Sequence, residues 1–205
     1  MSFPNLHGLS SLQTLSIMGC GALRSLPSGL PSCTALEELA VANCDNLISI
    51  PDDLRRSWSI PNPACLARLK KLTIGGFSTE LKEFSDLGFI GSHLEELTLI
   101  AWGESRERLL DQIQHLTALR SLEIRDFDGL EALPNWFENL SSLQTLRISN
   151  CKSLKHMEAI RCLSRLKCLF IYGCPELKER CASGSGFEWD YISHIPKIYT
   201  DLDWI

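Results

Sequence analysis

No stretch of this sequence approaches the roughly 20 consecutive apolar residues that a membrane-spanning helix requires, and Met1 to Ser10 lacks the basic start and apolar run of a secretory signal. Neither a membrane span nor a cleaved leader is expected. Positive charge is short as well. With 20 Lys and Arg against 25 Asp and Glu, the net charge is -5 and the pI is near 5.6, which argues against nucleic acid as a partner, since phosphate binding calls for a basic surface. The catalytic signatures are missing too: there is no G-x-x-x-x-G-K-[ST], G-x-S-x-G, H-E-x-x-H or G-x-G-x-x-G. The five histidines, His7, His93, His115, His156 and His194, are scattered along the chain, and no C-x-x-C pair or zinc-spaced histidine pair occurs. These absences leave no expected catalytic residue, metal or cofactor, and the chain reads as a binding protein and not an enzyme.

What is present is a repeat. In Ser10 to Pro27, SSLQTLSIMGCGALRSLP, apolar residues stand at Leu12, Leu15, Ile17, Cys20, Leu23 and Leu26. The same spacing returns at Leu36, Leu39, Val41, Cys44, Leu47 and Ile50, and at Leu143, Leu146, Ile148, Cys151, Leu154 and Met157. Units begin at 12, 36, 69, 94, 119, 143 and 166. A period in the low twenties with L-x-x-L-x-L-x-x-C/N-x-L marks leucine-rich repeats, so the expected fold is a curved, right-handed α/β solenoid. Each L-x-x-L-x-L segment is expected to be a short strand with its leucines inward. Stacked strands about 4.8 Å apart then form a parallel sheet roughly 30 Å wide on the concave face. The outer segments, punctuated by Pro27, Pro31, Pro51 and Pro134, favour loops and single helical turns. One domain over residues 1–205 is expected, because a unit cannot bury its apolar face without a neighbour.

Cysteine follows this period. Cys20, Cys44, Cys151 and Cys174 share one position, where a small apolar thiol with a weak donor suits the turn after a strand. Reduced structural thiols are expected, in a reducing compartment. Phe77, Trp102 and Phe127 replace cysteine at that position and are expected in the core.

The period fails at two places. Between Pro51 and Leu69 one unit carries about nine extra residues, including Asp52 to Pro63, and insertions in solenoids become loops. Trp58 within it is either tucked against the outer core or exposed as a contact. After Leu177 the pattern stops, and residues 178–205 read as a C-terminal cap ending in an extended segment. No polar cap precedes Leu12, and the chain is expected to be a fragment of a longer one.

The positions between the leucines draw the concave surface. One column of it runs through Met18, Ala42, Gly75, Ile100, Arg125, Ser149 and Tyr172. At the strand starts, Glu37-Glu38, Lys70-Lys71, Glu95-Glu96 and Arg120 alternate in sign, which reads more readily as a self-satisfied ladder than as a docking site. Near the C-terminal end Arg125, Arg147, Phe170 and Tyr172 are expected to converge with Glu123. Exposed aromatic and Arg side chains are the types that anchor interfaces. Phe170 and Tyr172 either present themselves there or pack beneath the cap.

The phrases LPNWFENLSSLQTLRISNC from Leu133 to Cys151 and CPELKERC from Cys174 to Cys181, with the closing Trp189, Ile192, His194, Ile195, Pro196 and Ile198, resemble the C-terminal repeats of plant nucleotide-binding leucine-rich-repeat resistance proteins, the coiled-coil subgroup above all. The likeness covers nearly the whole chain and departs at Asp52 to Pro63. It implies part of a cytoplasmic immune receptor, nuclear or membrane-associated only through its parent. The implied partners are a pathogen effector or the host protein it modifies, and an adjoining nucleotide-binding module. Any ADP or ATP would belong to that module, whose phosphate loop is absent here. The alternative is the substrate-recruiting repeat scaffold of an F-box ubiquitin ligase.

Overall fold

The computed structural model describes residues 4–54, 66–81, 93–102, 110–182 and 184–201. They fall into two compact units, Met1–Leu94 with Trp102–Ile113 and Glu95–Ala101 with Gln114–Ile205.

The first unit carries β1 (Thr14–Met18), β2 (Glu38–Cys44) and β3 (Lys71–Phe77), paired in parallel in chain order. The register sets equivalent repeat positions opposite each other, Leu15 with Leu39 with Leu72 and Ile17 with Val41 with Ile74. Each strand starts two residues after the leucine that opens its repeat, so the period-two face of the motif is the one buried. Ile17, Leu39, Val41, Leu72 and Ile74 are all buried. Leu15 departs from its expected inward burial and is half-buried. Among the described residues β1 has a hydrogen-bonded neighbour only in β2, and a repeat covered on one side leaves part of its apolar face uncovered. Leu9 and Met18, the latter on the outward face of β1, are exposed at 45% and 46%.

The second unit carries β4 (Glu96–Ile100), β5 (Ser121–Arg125), β6 (Thr145–Ser149), β7 (Cys168–Tyr172) and β8 (Lys197–Thr200), again parallel and in chain order. Leu122, Leu146, Leu169, Ile124, Ile148 and Ile171 stack as its inner face. The outer segments are short 3-10 turns at Asn135–Asn139 and Glu158–Ile160, as the prolines and short spacing suggest, with Phe137, Leu140, Met157 and Ile160 closing the core behind the strands. The last repeat ends in two short helices, α1 (Pro175–Arg180) and α2 (Trp189–Ile192), which return the chain to β8.

The turn that leaves the strands has its own rule, with Ala101 after β4 as the exception. Asn43, Asp126 and Asn150 have φ of 55, 64 and 55°, and Gly76 and Gly173 have 63 and 60°. This position immediately precedes the cysteine position, and only Gly, Asn and Asp enter the left-handed region at low cost. A Cβ on Gly76 would lie 2.5 Å from Asn43 Oδ1, and one on Gly173 would lie 2.4 Å from Asn150 Oδ1, so the Asn side chain of one repeat occupies the space the next glycine leaves. Asn150 in turn donates to Asp126 Oδ1 at 3.1 Å.

The thiols behind this turn are reduced. Cys44, Cys151 and Cys174 are buried and direct Sγ back to the carbonyl two residues earlier, at 3.5, 3.5 and 3.2 Å to Ala42, Ser149 and Tyr172. Phe77, Trp102 and Phe127 are buried at the same position, and Phe77 meets Trp102 at a centroid distance of 5.0 Å. Burial pushes the Cys33 and Cys44 thiols up, and burial together with the Glu188 carboxylate pushes Cys181 up to about 12. A thiol whose folded pKa is raised stabilises the fold fully below its unfolded value near 8.5 and loses that contribution as pH rises toward the folded value. Urea unfolding should therefore show an unfolding free energy that falls above pH 8.5, for Cys181 up to about pH 12, by at most about 1.4 kcal/mol per pH unit. A Cys181→Ala variant should show a shallower fall, and an identical slope would contradict the assignment.

Candidate recognition surface

The parallel register decides which side chains share a row on the sheet face. In the second unit Glu123, Arg147, Phe170 and Tyr199 stand side by side on β5 to β8, and Arg125, Ser149 and Tyr172 form the next row on β5 to β7. Two residues along a strand return to the same face, so both rows lie opposite the buried leucines.

The first row is a stack of planar groups. The Arg147 guanidinium carbon sits 4.4 Å from the Phe170 ring centroid, and Phe170 lies almost parallel to Tyr199, 4.7 Å between centroids and 10° between planes. Tyr172 leans toward Phe170 at 6.1 Å. Arg125 forms an ion pair with Glu123 on its own strand. A partly exposed cation–π contact is worth about 0.5–1 kcal/mol and an aromatic pair about 0.5–1.5 kcal/mol. The stack therefore holds its members in fixed rotamers with their outer faces open, which lowers the entropy a partner must overcome on docking.

Glu123, Arg125, Arg147, Phe170 and Tyr172 are thus brought together, and all five are half-buried. The two readings of Phe170 and Tyr172 meet in β8: this strand of the cap lies beside β7 and stacks Tyr199 on Phe170, and both Phe170 and Tyr172 remain half-buried. Trp58 lies outside the described residues, as does most of the insertion. Its first residues are anchored, with Asp53 Oδ2 accepting the Gly29 N–H at 2.6 Å and Leu54 buried. The column expected to face solvent next to the turn is corrected in three repeats. Ala42 and Ile100 are buried, as is Gly75, because this position adjoins the turn and small or apolar side chains there are covered.

Tyr199 was not legible as a site residue, although Ile198 falls into register with Leu169 and places Tyr199 beside Phe170. Glu188 gave no local signal either. It is buried, accepts the Met157 N–H at 2.8 Å, and meets His156 Nδ1 at 3.2 Å and Arg180 Nη2 at 3.5 Å. It ties the loop before α2 to the segment before the 3-10 turn at 158–160.

The charged strand starts pair among themselves, as expected. Lys70 and Arg68 meet Glu37 at 2.9 and 3.5 Å, Lys71 meets Glu38 at 3.6 Å, and Arg120 meets Glu95 at 4.0 Å. The hydrogen bond and charge of Lys70 hold the Glu37 carboxyl below its usual value. These pairs are exposed and contribute little to stability. Among the described residues no group of three or more His, Cys, Asp or Glu is placed to hold a metal, and no helix is long and apolar enough to cross a membrane.

Short parallel strands repeating every 23 to 25 residues through most of the chain, backed by single 3-10 turns, define a leucine-rich-repeat fold. Residues 90–174 match the family described as R13L1/DRL21 leucine-rich repeats. The chain is a leucine-rich-repeat region of the kind carried by plant nucleotide-binding leucine-rich-repeat disease resistance proteins. It is 30% identical over 195 residues to the Arabidopsis thaliana protein SUPPRESSOR OF npr1-1, CONSTITUTIVE 1, covering 82% of this chain and 13% of that protein. It is 35% identical over 132 residues to disease resistance protein RPP4 of the same plant, covering 64% of this chain and 10% of RPP4. Disease resistance protein RPS4B, also from Arabidopsis thaliana, is 31% identical over 177 residues, covering 82% and 13%. The chain thus spans about an eighth or less of these relatives' lengths. Among solved structures, the leucine-rich repeat domain of the type III effector XopL superposes with a TM-score of 0.56 at 20% identity, over 94% of this chain and 70% of that one, a likeness of fold alone.

Proposed function

We propose that this chain is the non-catalytic protein-recognition part of an intracellular plant immune receptor. It senses a pathogen effector, or a host protein that an effector has modified, and restrains the adjacent nucleotide-binding module of its parent. The observation that carries this reading is the row Arg147, Phe170 and Tyr199 with Tyr172 beside it, a prearranged aromatic and guanidinium surface on the open face of β6 to β8. Such residues supply large contact area with directional polar bonds, and their fixed rotamers reduce the entropic cost of docking. The relatives named as disease resistance proteins support the biological setting. Engagement of the surface would act by population shift, favouring the receptor state in which the repeats no longer hold the switch.

The test is a paired substitution, Arg147→Ala with Tyr172→Ala, in the full parent receptor. Both side chains are half-buried and neither fills the core, so folding should persist. Effector-dependent activation and co-precipitation of the partner should be lost while the melting temperature stays near that of the parent. Unchanged recognition would remove this surface from the proposal.

A further inference from the structure

A second feature of the C-terminal unit lies at the strand starts and not on the sheet face. A cavity of about 460 Å³ opens between the segments that lead into β6, β7 and β8. Its volume falls within the range of small-molecule sites. Its rim is fixed by backbone bonds: Lys167 N–H donates to the Gln144 carbonyl at 2.8 Å, Lys197 N–H to the Lys167 carbonyl at 3.1 Å, and Ile195 N–H to the Ile192 carbonyl at 2.9 Å. Buried Leu166 and the ring of Pro196 contribute apolar wall. Since those N–H groups are spent on the sheet and the cap, recognition falls to the side chains.

Those side chains are of one kind. Arg165, Lys167 and His194 line the cavity, joined by the Ser164 hydroxyl and the Gln144 amide, and among the described residues no carboxylate lines it. This is unusual for a chain in which acidic residues outnumber basic ones, 25 to 20. Elsewhere the cations at the strand starts meet carboxylates, as in the pairs of Lys70 with Glu37 and Arg120 with Glu95. Among the described residues Arg165, Lys167 and His194 have no such partner. Arg165 and Lys167 are exposed and keep their positive charge open to solvent, which favours the approach of an anion.

We propose that this cavity binds a compact phosphorylated small molecule. The Arg165 guanidinium offers a planar fork that fits two oxygens of one phosphoryl group, Lys167 supplies a point charge to a second, and Ser164, Gln144 and His194 offer neutral or switchable donors. The concave shape suits a compact anion better than an extended acidic segment. The site is separate from the Arg147–Phe170–Tyr199 row and does not depend on it. Phosphoryl oxygens arrive either on a soluble metabolite or on a lipid headgroup, and the chemistry that recognises them is the same.

Isothermal titration of the 205-residue chain with pyrophosphate and with inositol hexakisphosphate tests the first source, and co-sedimentation with phosphatidylcholine vesicles containing phosphatidylinositol bisphosphate tests the second. Saturable binding in either arm is expected, weakened about tenfold or more by Arg165→Ala with Lys167→Ala, as loss of a charge-assisted contact implies. A control pair, Arg24→Ala with Arg161→Ala, removes the same charge from exposed positions outside the cavity and should leave binding intact. Heat-denaturation curves of both double variants establish that they fold. Absence of binding in both arms, or equal loss in the two double variants, overturns the proposal.

Discussion

Replacing Glu188 with alanine is expected to destabilise the C-terminal unit by about 1–3 kcal/mol, the cost typical of leaving a buried hydrogen-bond partner unsatisfied, because His156 and Arg180 keep access to solvent. The side chain is 3% exposed and its two oxygens are both committed, Oε2 to the Met157 N–H and Oε1 to His156 and Arg180. Truncation strands a buried backbone donor at Met157, which alone costs about 1–3 kcal/mol, and leaves Arg180 without its carboxylate. The same residue's N–H donates to the Arg180 carbonyl at 2.9 Å, a backbone bond that the substitution leaves in place, so the loss reports the side chain alone. Urea unfolding of the alanine and glutamine variants separates the two contributions. Glutamine keeps an acceptor for Met157 and should retain more of the stability than alanine does. A loss below about 1 kcal/mol in the alanine variant would mean that the cap is held by its apolar contacts alone.

The same substitution links stability to recognition. β8 follows α2 after four residues and supplies Tyr199 to the stack on Phe170. Loosening the cap should therefore weaken partner binding through Tyr199 even though Glu188 touches no partner. Glu188 is invisible to sequence reasoning for a physical reason: its partners His156 and Met157 lie 32 and 31 residues away, in another repeat, and no period connects a cap residue to them.

The strands were legible because one rule writes all of them. Apolar residues at every second position, repeated at Leu12, Leu36, Leu143 and Leu166, can be buried together only if the strands stack in register, and β1, β2, β6 and β7 each begin two residues after those leucines. The recognition row was partly legible for the same reason, since Arg147 and Phe170 occupy equivalent positions in adjacent repeats and so must be neighbours. Tyr199 escaped because the cap lacks the leucines that announce a repeat strand and fix its register; the extended segment expected at its end is β8, which joins the sheet by its backbone. The left-handed turn was written in the column Gly19, Asn43, Gly76, Asp126, Asn150 and Gly173, but it shows only when the residue before the cysteine is read for backbone conformation and not for polarity.

Phe127→Cys supplies the sharpest test of whether repeat statistics or packing governs this core. By the repeat pattern the change restores the residue found at Cys20, Cys44, Cys151 and Cys174, and substitutions toward a consensus commonly stabilise by about 0.5–2 kcal/mol. Packing predicts the opposite sign. Phe127 is 1% exposed and among the largest fully buried side chains, and its carbonyl accepts the Leu130 N–H at 3.1 Å, so the ring closes the outer side of the turn. A cysteine would leave most of the ring's volume empty, and large-to-small changes of this kind cost about 3–5 kcal/mol for Phe→Ala, a little less with a thiol in place of the methyl. The thiol would recover only a weak hydrogen bond to the Arg125 carbonyl, by analogy with Cys151 and Ser149. The reverse change, Cys151→Phe, overpacks a site fitted to a thiol and should itself cost about 1–3 kcal/mol. Thermal unfolding of both variants decides the matter: losses in both directions mean that each repeat has packed around its own residue, whereas a more stable Phe127→Cys protein would mean that the turn geometry, and not the volume behind it, sets the preference at this position.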